Sequence, residues 1–178
     1  MGIPTLISTA TPSNASEVAI TSGIDSTYDE YMFVCTDINA ATDNTDFGFQ
    51  VNVAGQSGYN ETMTTSVFDA SVDGSGGSGN IAYNPANDQA QGTALQPLIR
   101  ACGNGADESG VVILHLFSPS NTTYVTHFYA RAHNLQFEDY SQEYYLAGYV
   151  NVTGAIDEIE FKMTSGNFDG VIQMYGIA

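Results

Sequence analysis

From Ala147 to Ala178 the chain reads AGYVNVTGAIDEIEFKMTSGNFDGVIQMYGIA, and within it Ile159, Phe161 and Met163 alternate with Glu158, Glu160, Lys162 and Thr164. An extended chain puts every second side chain on one face, so this run is predicted to be a strand with one dry and one wet face. Ser165-Gly166-Asn167 then turns the chain. Val171 to Ile177 follows, with Ile172 and Met174 adding apolar groups to its second face, as expected of a strand covered on both sides. Two such strands around a glycine-containing turn predict a hairpin that closes the core.

The same grammar recurs along the chain. Glu17–Thr21 is a short strand candidate. In Tyr28–Ile38, Met32, Val34, Thr36 and Ile38 are assigned to one face and Tyr31, Phe33 and Cys35 to the other. Phe47, Phe49, Val51 and Val53 alternate with Gly48, Gln50 and Asn52, the pattern of a strand with one face on the core. Met63–Ala70 follows, then Gly110–Phe117, whose near-continuous apolar run predicts burial on both faces. Thr123–Ala132 and Tyr144–Val152 precede the closing pair. About nine strands separated by Gly, Asn, Ser and Pro turns, with no amphipathic helix, predict an all-β fold: an antiparallel β-sandwich of jelly-roll type. Residues 17–178 are expected to form one domain, a length at which a single core is routine. Residues 1–16, polar and interrupted by Pro12, are expected to form an N-terminal arm or loose edge. Asn87–Leu98 could hold a short helical turn limited by Gly92 and Pro97, and the low-complexity run Gly74–Gly79 reads as a flexible surface loop.

Charge narrows the partners. Three Lys plus Arg stand against 20 Asp plus Glu, a formal net charge of −17. Phosphate backbones and anionic membranes are held by clustered cations, and Arg100, Arg131 and Lys162 are scattered, so neither nucleic acid nor membrane is expected. The acidity reads as a solvated, self-repelling surface. No run approaches 18 apolar residues and no signal peptide is visible. Cys35 and Cys102 are too few for a disulfide framework, which points to folding in a reducing compartment. The Asn-x-Ser/Thr sequons at Asn14, Asn60, Asn121 and Asn151 then reflect a chain rich in those residues.

Chemistry-bearing patterns are sparse. His115, His127 and His133 form no HxH or HExxH pair, so they read as structural. No Gly-x-Ser-x-Gly elbow is present. The acid pairs Asp29-Glu30, Asp107-Glu108, Glu138-Asp139 and Asp157-Glu158 are adjacent in sequence, and adjacent residues on a strand face opposite ways, which disfavours paired-carboxylate catalysis. Asp37, Asp43 and Asp46 surround one turn and could offer oxygen ligands to Ca²⁺, but without EF-hand spacing. The sequence therefore nominates no catalytic, cofactor-binding or metal-ligating residue, and no cofactor. Its aromatic content is more telling. Eleven Tyr accompany no Trp, and Tyr140, Tyr144, Tyr145 and Tyr149 lie close together, a composition suited to a core or subunit interface and, less directly, to a sugar platform.

Three segments carry a resemblance. Ser22-Gly-Ile-Asp-Ser-Thr-Tyr-Asp-Glu-Tyr31, Leu114-His-Leu-Phe-Ser-Pro-Ser-Asn-Thr-Thr123 and Phe161-Lys-Met-Thr-Ser-Gly-Asn-Phe-Asp-Gly-Val-Ile-Gln-Met-Tyr-Gly-Ile177 resemble a family of structural proteins of tailed bacteriophages, especially marine ones. The resemblance spans roughly residues 16–178. It implies a non-enzymatic virion component, either tail- or fibre-associated or a capsid decoration protein, folded in the host cytoplasm and located in the virion. It implies partners among other capsid or tail proteins and a homo-oligomer, a trimer by analogy with other jelly-roll virion proteins. The alternative expectation is a carbohydrate-binding receptor-recognition module at a fibre tip, which would touch host surface glycans.

Overall fold

The computed structural model describes residues 2–178. Among the described residues there are thirteen strands and no helix: β1 (Thr5–Ala10), β2 (Glu17–Ile20), β3 (Glu30–Ala40), β4 (Thr45–Val53), β5 (Met63–Asp73), β6 (Gly79–Tyr83), β7 (Ala90–Gly92), β8 (Gln96–Cys102), β9 (Gly110–Phe117), β10 (Thr126–Leu135), β11 (Tyr140–Val150), β12 (Ile156–Met163) and β13 (Phe168–Ile177). They form a nine-stranded sheet in the order β1-β13-β3-β9-β10-β11-β5-β6, with β7 also on β5, and a four-stranded sheet in the order β2-β12-β4-β8. The fold is thus all-β with antiparallel pairing, in two sheets as a sandwich requires. The count exceeds the expected nine because β1, β6, β7 and β8 lack a readable alternation. β8 occupies the region read as a helical turn and carries Pro97 on a sheet edge, where a missing N–H is tolerated.

The closing hairpin is not a hairpin. β12 and β13 lie in different sheets, and the turn between them carries the chain across the sandwich. β12 pairs with β4 and β13 with β3, so the β3–β4 segment and the β12–β13 segment run side by side as one ribbon through both sheets. Their two corners interlock. Ala41 N donates to Asn167 O at 2.9 Å and Thr164 N to Asp46 O at 2.8 Å. The Thr45 and Thr164 hydroxyls meet at 3.0 Å. Such a nested ribbon is shared with jelly rolls, whereas β9, β10 and β11 depart from that winding as an up-and-down meander, with β5 against β11.

Between the sheets, Phe161 of β12 packs on Phe33 and Phe47 with ring centroids 5.6 and 6.0 Å apart, Phe47 meets Phe168 at 5.3 Å, and Phe49 meets Phe128 at 5.2 Å. Each of these rings is almost wholly buried. The face assignment in β3 is corrected at its end. Asp37 adopts a left-handed φ of 55° and bulges the strand, which moves Ile38 to the same buried face as Tyr31, Phe33 and Cys35. The supposed wet face of β4 is also covered: Gln50 Nε2 donates to Glu61 O at 2.9 Å, and Asn52 Oδ1 accepts from Tyr59 N at 2.8 Å. The loops after β4 and before β8 therefore satisfy its amides.

The N-terminal segment is docked, not a free arm. β1 pairs with β13 from Thr5 to Ala10, Ile7 and Ala10 pack against the core, and Ala15 exchanges backbone hydrogen bonds with Phe168 at 2.9 and 3.0 Å. The physical reason is the edge of β13, whose ladder groups β1 satisfies. Of that segment only Met1 lies outside the described residues.

Candidate assembly face on the nine-stranded sheet

β10 alternates strictly. Phe128, Ala130, Ala132 and Asn134 point into the sandwich, while His127, Tyr129, Arg131 and His133 are exposed. Residues directly opposite across an antiparallel ladder share a face, so the register propagates this exposure sideways. One row runs Val34, Ile113, Arg131, Tyr145, Phe68, Tyr83, and the next runs Met32, His115, Tyr129, Ala147, Ser66. The expectation that β9 is buried on both faces is corrected accordingly: Val112, Leu114 and Leu116 are buried, but Val111 and Ile113 stay 45% and 44% exposed. Phe68, Val72, Ile81, Tyr83 and Tyr129 are likewise exposed on this face. An apolar surface this continuous is rare on a soluble monomer.

The aromatic groups are ordered against one another. His115 stacks on Tyr129 with centroids 4.6 Å apart, and Phe117 lies 5.4 Å from Tyr129. Tyr145 stacks on Phe68 at 4.6 Å, and the Arg131 guanidinium sits 5.5 Å above the Tyr145 ring. His127 meets Tyr149 edge to face at 6.1 Å. Two-torsion aromatic side chains held this way lose little entropy when a partner covers them.

The two acids on the face are each held by a neighbour. Arg131 pairs with Glu143, and His115 Nδ1 contacts Glu30 Oε1. The hydrogen bond from Arg131 holds the Glu143 carboxyl below the usual carboxylate range, and the same partner raises the guanidinium. His133 Nε2 lies 2.9 Å from Ser141 Oγ. All three histidines are therefore on this surface, each against its own neighbour. Among the described residues no group of three or more His, Cys, Asp or Glu is placed to hold a metal ion.

The remaining candidates are dispersed. Asp37 is at the β3 bulge, Asp43 is exposed in a turn, and Asp46 accepts from Ala101 N at 2.9 Å. On the four-stranded sheet, Glu158 accepts from Asn52 Nδ2 at 2.7 Å and from the Tyr59 hydroxyl at 3.1 Å, while Lys162 Nζ lies 2.5 Å from Glu160 Oε2. Gly74–Gly79 belongs to the turn joining β5 and β6, closed by Asp73 N donating to Ser78 O at 2.9 Å. Cys35 and Cys102 are both buried and free. The tyrosine cluster splits: Tyr144 is 2% exposed in the core, where burial raises its phenol, while Tyr145 and Tyr149 join the outer face.

The sheet surface is ridged, with open hollows between side chains; one of about 660 Å³ is bounded by Val72, Ile81, His133 and Glu143 among others. Such shallow relief suits contact with another surface better than enclosure of a reacting molecule. Sequence reasoning missed this face because β9 looks uniformly apolar. The strict alternation of His127, Tyr129, Arg131 and His133 was the signal available. No protein-family model and no curated protein sequence matches the chain.

Proposed function

We propose that this chain is a non-enzymatic structural protein of a tailed-bacteriophage virion, tail- or fibre-associated or a capsid decoration, that works by adhesion through the outer face of its nine-stranded sheet. The observation that carries the reading is the exposed apolar and aromatic face on a molecule whose net charge is −17. Burial of that face against a neighbour stabilises the contact by the hydrophobic effect, and the Arg131–Glu143 pair on it adds no net charge. The sequence resemblance supplies the context of the particle, with homo-oligomeric contacts and contacts to other capsid or tail proteins. The role needs no cofactor, nucleic acid or membrane.

Quantitative mass spectrometry of purified particles tests this. A fixed copy number per virion, lost on Ile113→Asp while the soluble chain stays folded, is the expected result. Absence from particles, or occupancy indifferent to that substitution, would overturn it.

One feature favours the second reading, a glycan-binding module at a fibre tip. Tyr124, 70% exposed, stands at a hollow of about 560 Å³ with Phe117, His127 and Asn121. The Asn121 side chain fixes the loop there, its Oδ1 accepting from Thr123 N at 2.7 Å and Tyr124 N at 3.0 Å. An exposed aromatic ring beside amide and hydroxyl groups is a fit surface for a neutral sugar. Binding on a glycan array that Tyr124→Ala abolishes would favour this reading; an array without a binder would remove it.

A further inference from the structure

We infer that the occupant of the outer face is the same face of a second copy of this chain, packed across a two-fold axis. The inference rests on the adhesive role proposed for that face and names its partner.

Charge is the first argument. The 20 acidic residues make most approaches of one copy to another repulsive, but only Glu30 and Glu143 stand in the four central rows of this face, and each is paired there with His115 or Arg131. Arg131 is one of only three basic residues, and all three histidines share its surface. Two copies can therefore meet here with Glu143 countered by Arg131 and with Glu30, held by the His115 ring, the one further acid in these rows, which on an acidic molecule is a condition that selects the face.

Area is the second. Five strands, β3 through β5 in sheet order, spaced about 4.8 Å apart and carrying four outward rows about 7 Å apart, span with the two rows that β6 extends ~700 Å². A standard interface takes about 800 Å² from each partner. The match requires the whole face, as expected if its partner has the same extent.

Symmetry is the third. A closed three-fold ring, the arrangement expected by analogy with jelly-roll virion proteins, needs two different patches that meet head to tail. A single continuous face, rich in exposed apolar and aromatic side chains, meets its own copy across a two-fold axis. Packed sheets of this kind align or cross with aromatic side chains interdigitated, which the Tyr129 and Tyr145 stacks are shaped to do.

The test uses the full chain. Light scattering over a concentration series is expected to give about twice 18.9 kDa, falling to the single-chain mass in Ile113→Asp and in Tyr129→Asp, with unchanged circular dichroism. Tyr129→Cys, near the centre of the face, is expected to yield a disulfide-linked dimer under mild oxidation, while Glu17→Cys on the opposite sheet does not; Cys35 and Cys102 are buried and do not compete. A monomer at every concentration, a trimer, or a dimer indifferent to both Asp substitutions overturns the inference. If the chain is monomeric yet Ile113→Asp still removes it from particles, the adhesive role stands and only the second copy is excluded; if occupancy is also unchanged, both fall.

Discussion

Gly170 of β13 lies directly against the bulge that Asp37 makes in β3. A methyl group at position 170 would come 2.7 Å from Ile38 Cδ1 and 3.1 and 3.2 Å from the carbonyl oxygens of Thr36 and Asp37. The glycine itself has a φ of 151°, and the register of both strands shifts at this place. Gly170→Ala therefore meets the end of the buried Ile38 side chain first and then two backbone oxygens, which cannot swing aside. The expected cost is about 2 kcal/mol, seen as a fall in melting temperature of roughly 4–8 °C for a domain of this size. An unchanged melting temperature would mean that the bulge relaxes freely.

The core between the sheets and the outer face of the nine-stranded sheet should respond unequally to truncation. Phe161, stacked between Phe33 and Phe47 with no exposure, is expected to lose about 3–5 kcal/mol on Phe161→Ala, from transfer and cavity together. Ile113→Ala removes a side chain already 44% exposed and should change single-chain stability by about 0.5 kcal/mol or less. Urea unfolding at low protein concentration, with an unchanged denaturant slope, separates the two; equal losses would show that the outer face is part of the folding core.

The thiols offer a check on the interior. Burial pushes Cys102 up to about 12 and raises Cys35 as well. Only the thiolate is a competent nucleophile, so an alkylating reagent at neutral pH should leave both residues unmodified in the folded chain and modify both in urea. Rapid modification of either residue without denaturant would show that its part of the core opens.

Much of this fold was legible in the sequence and some was not, for identifiable reasons. Alternation within β4, β10 and β12 marks strands because period two is a local property. Pairing is not local: β12 and β13, joined by a short glycine turn, look like a hairpin, yet they lie in opposite sheets, with Phe161 on Phe33 and Phe168 on Phe47 across the core. The bulge at Asp37 is invisible to a count of alternating residues, so Ile38 is assigned to the wrong face. The outer face escaped notice because Val111 and Ile113 are as apolar as the buried Val112 and Leu114, and hydropathy alone cannot distinguish a strand covered by the core from one awaiting a partner.

Alkaline pH should weaken the chain through its tyrosines. Burial and then Glu158 push the Tyr59 phenol up to about 12, and burial also raises Tyr31 and Tyr144. A phenol whose folded pKa exceeds its unfolded value near 10 keeps its proton in the native state when the open chain would release it. Its contribution is complete below about pH 10 and is lost as pH climbs toward about 12. The urea midpoint should fall across that window, and the fall should be shallower in Tyr59→Phe. A midpoint independent of pH there would show that these hydroxyls are as solvated as free ones.

Removing the N-terminal segment should unsettle the domain. β1 covers β13 along Thr5–Ala10, inserts Ile7 and Ala10 against the core, and is followed by Asn14 N donating to Asp169 Oδ1 at 2.7 Å and the Ala15 bridge to Phe168. Deletion of residues 2–10 strips the outer ladder partners from β13, which itself belongs to the ribbon joining both sheets, and uncovers its Ile172–Gly176 stretch, which holds no charged residue to repel another strand. With several backbone hydrogen bonds at about 1 kcal/mol each and two apolar side chains lost, the expected destabilisation is about 3–5 kcal/mol, accompanied by aggregation on warming. Differential scanning calorimetry with light scattering reads both effects. A truncated chain that melts at the parent temperature and stays clear would show that β1 is a detachable arm after all, free to pair with the sheet edge of another subunit.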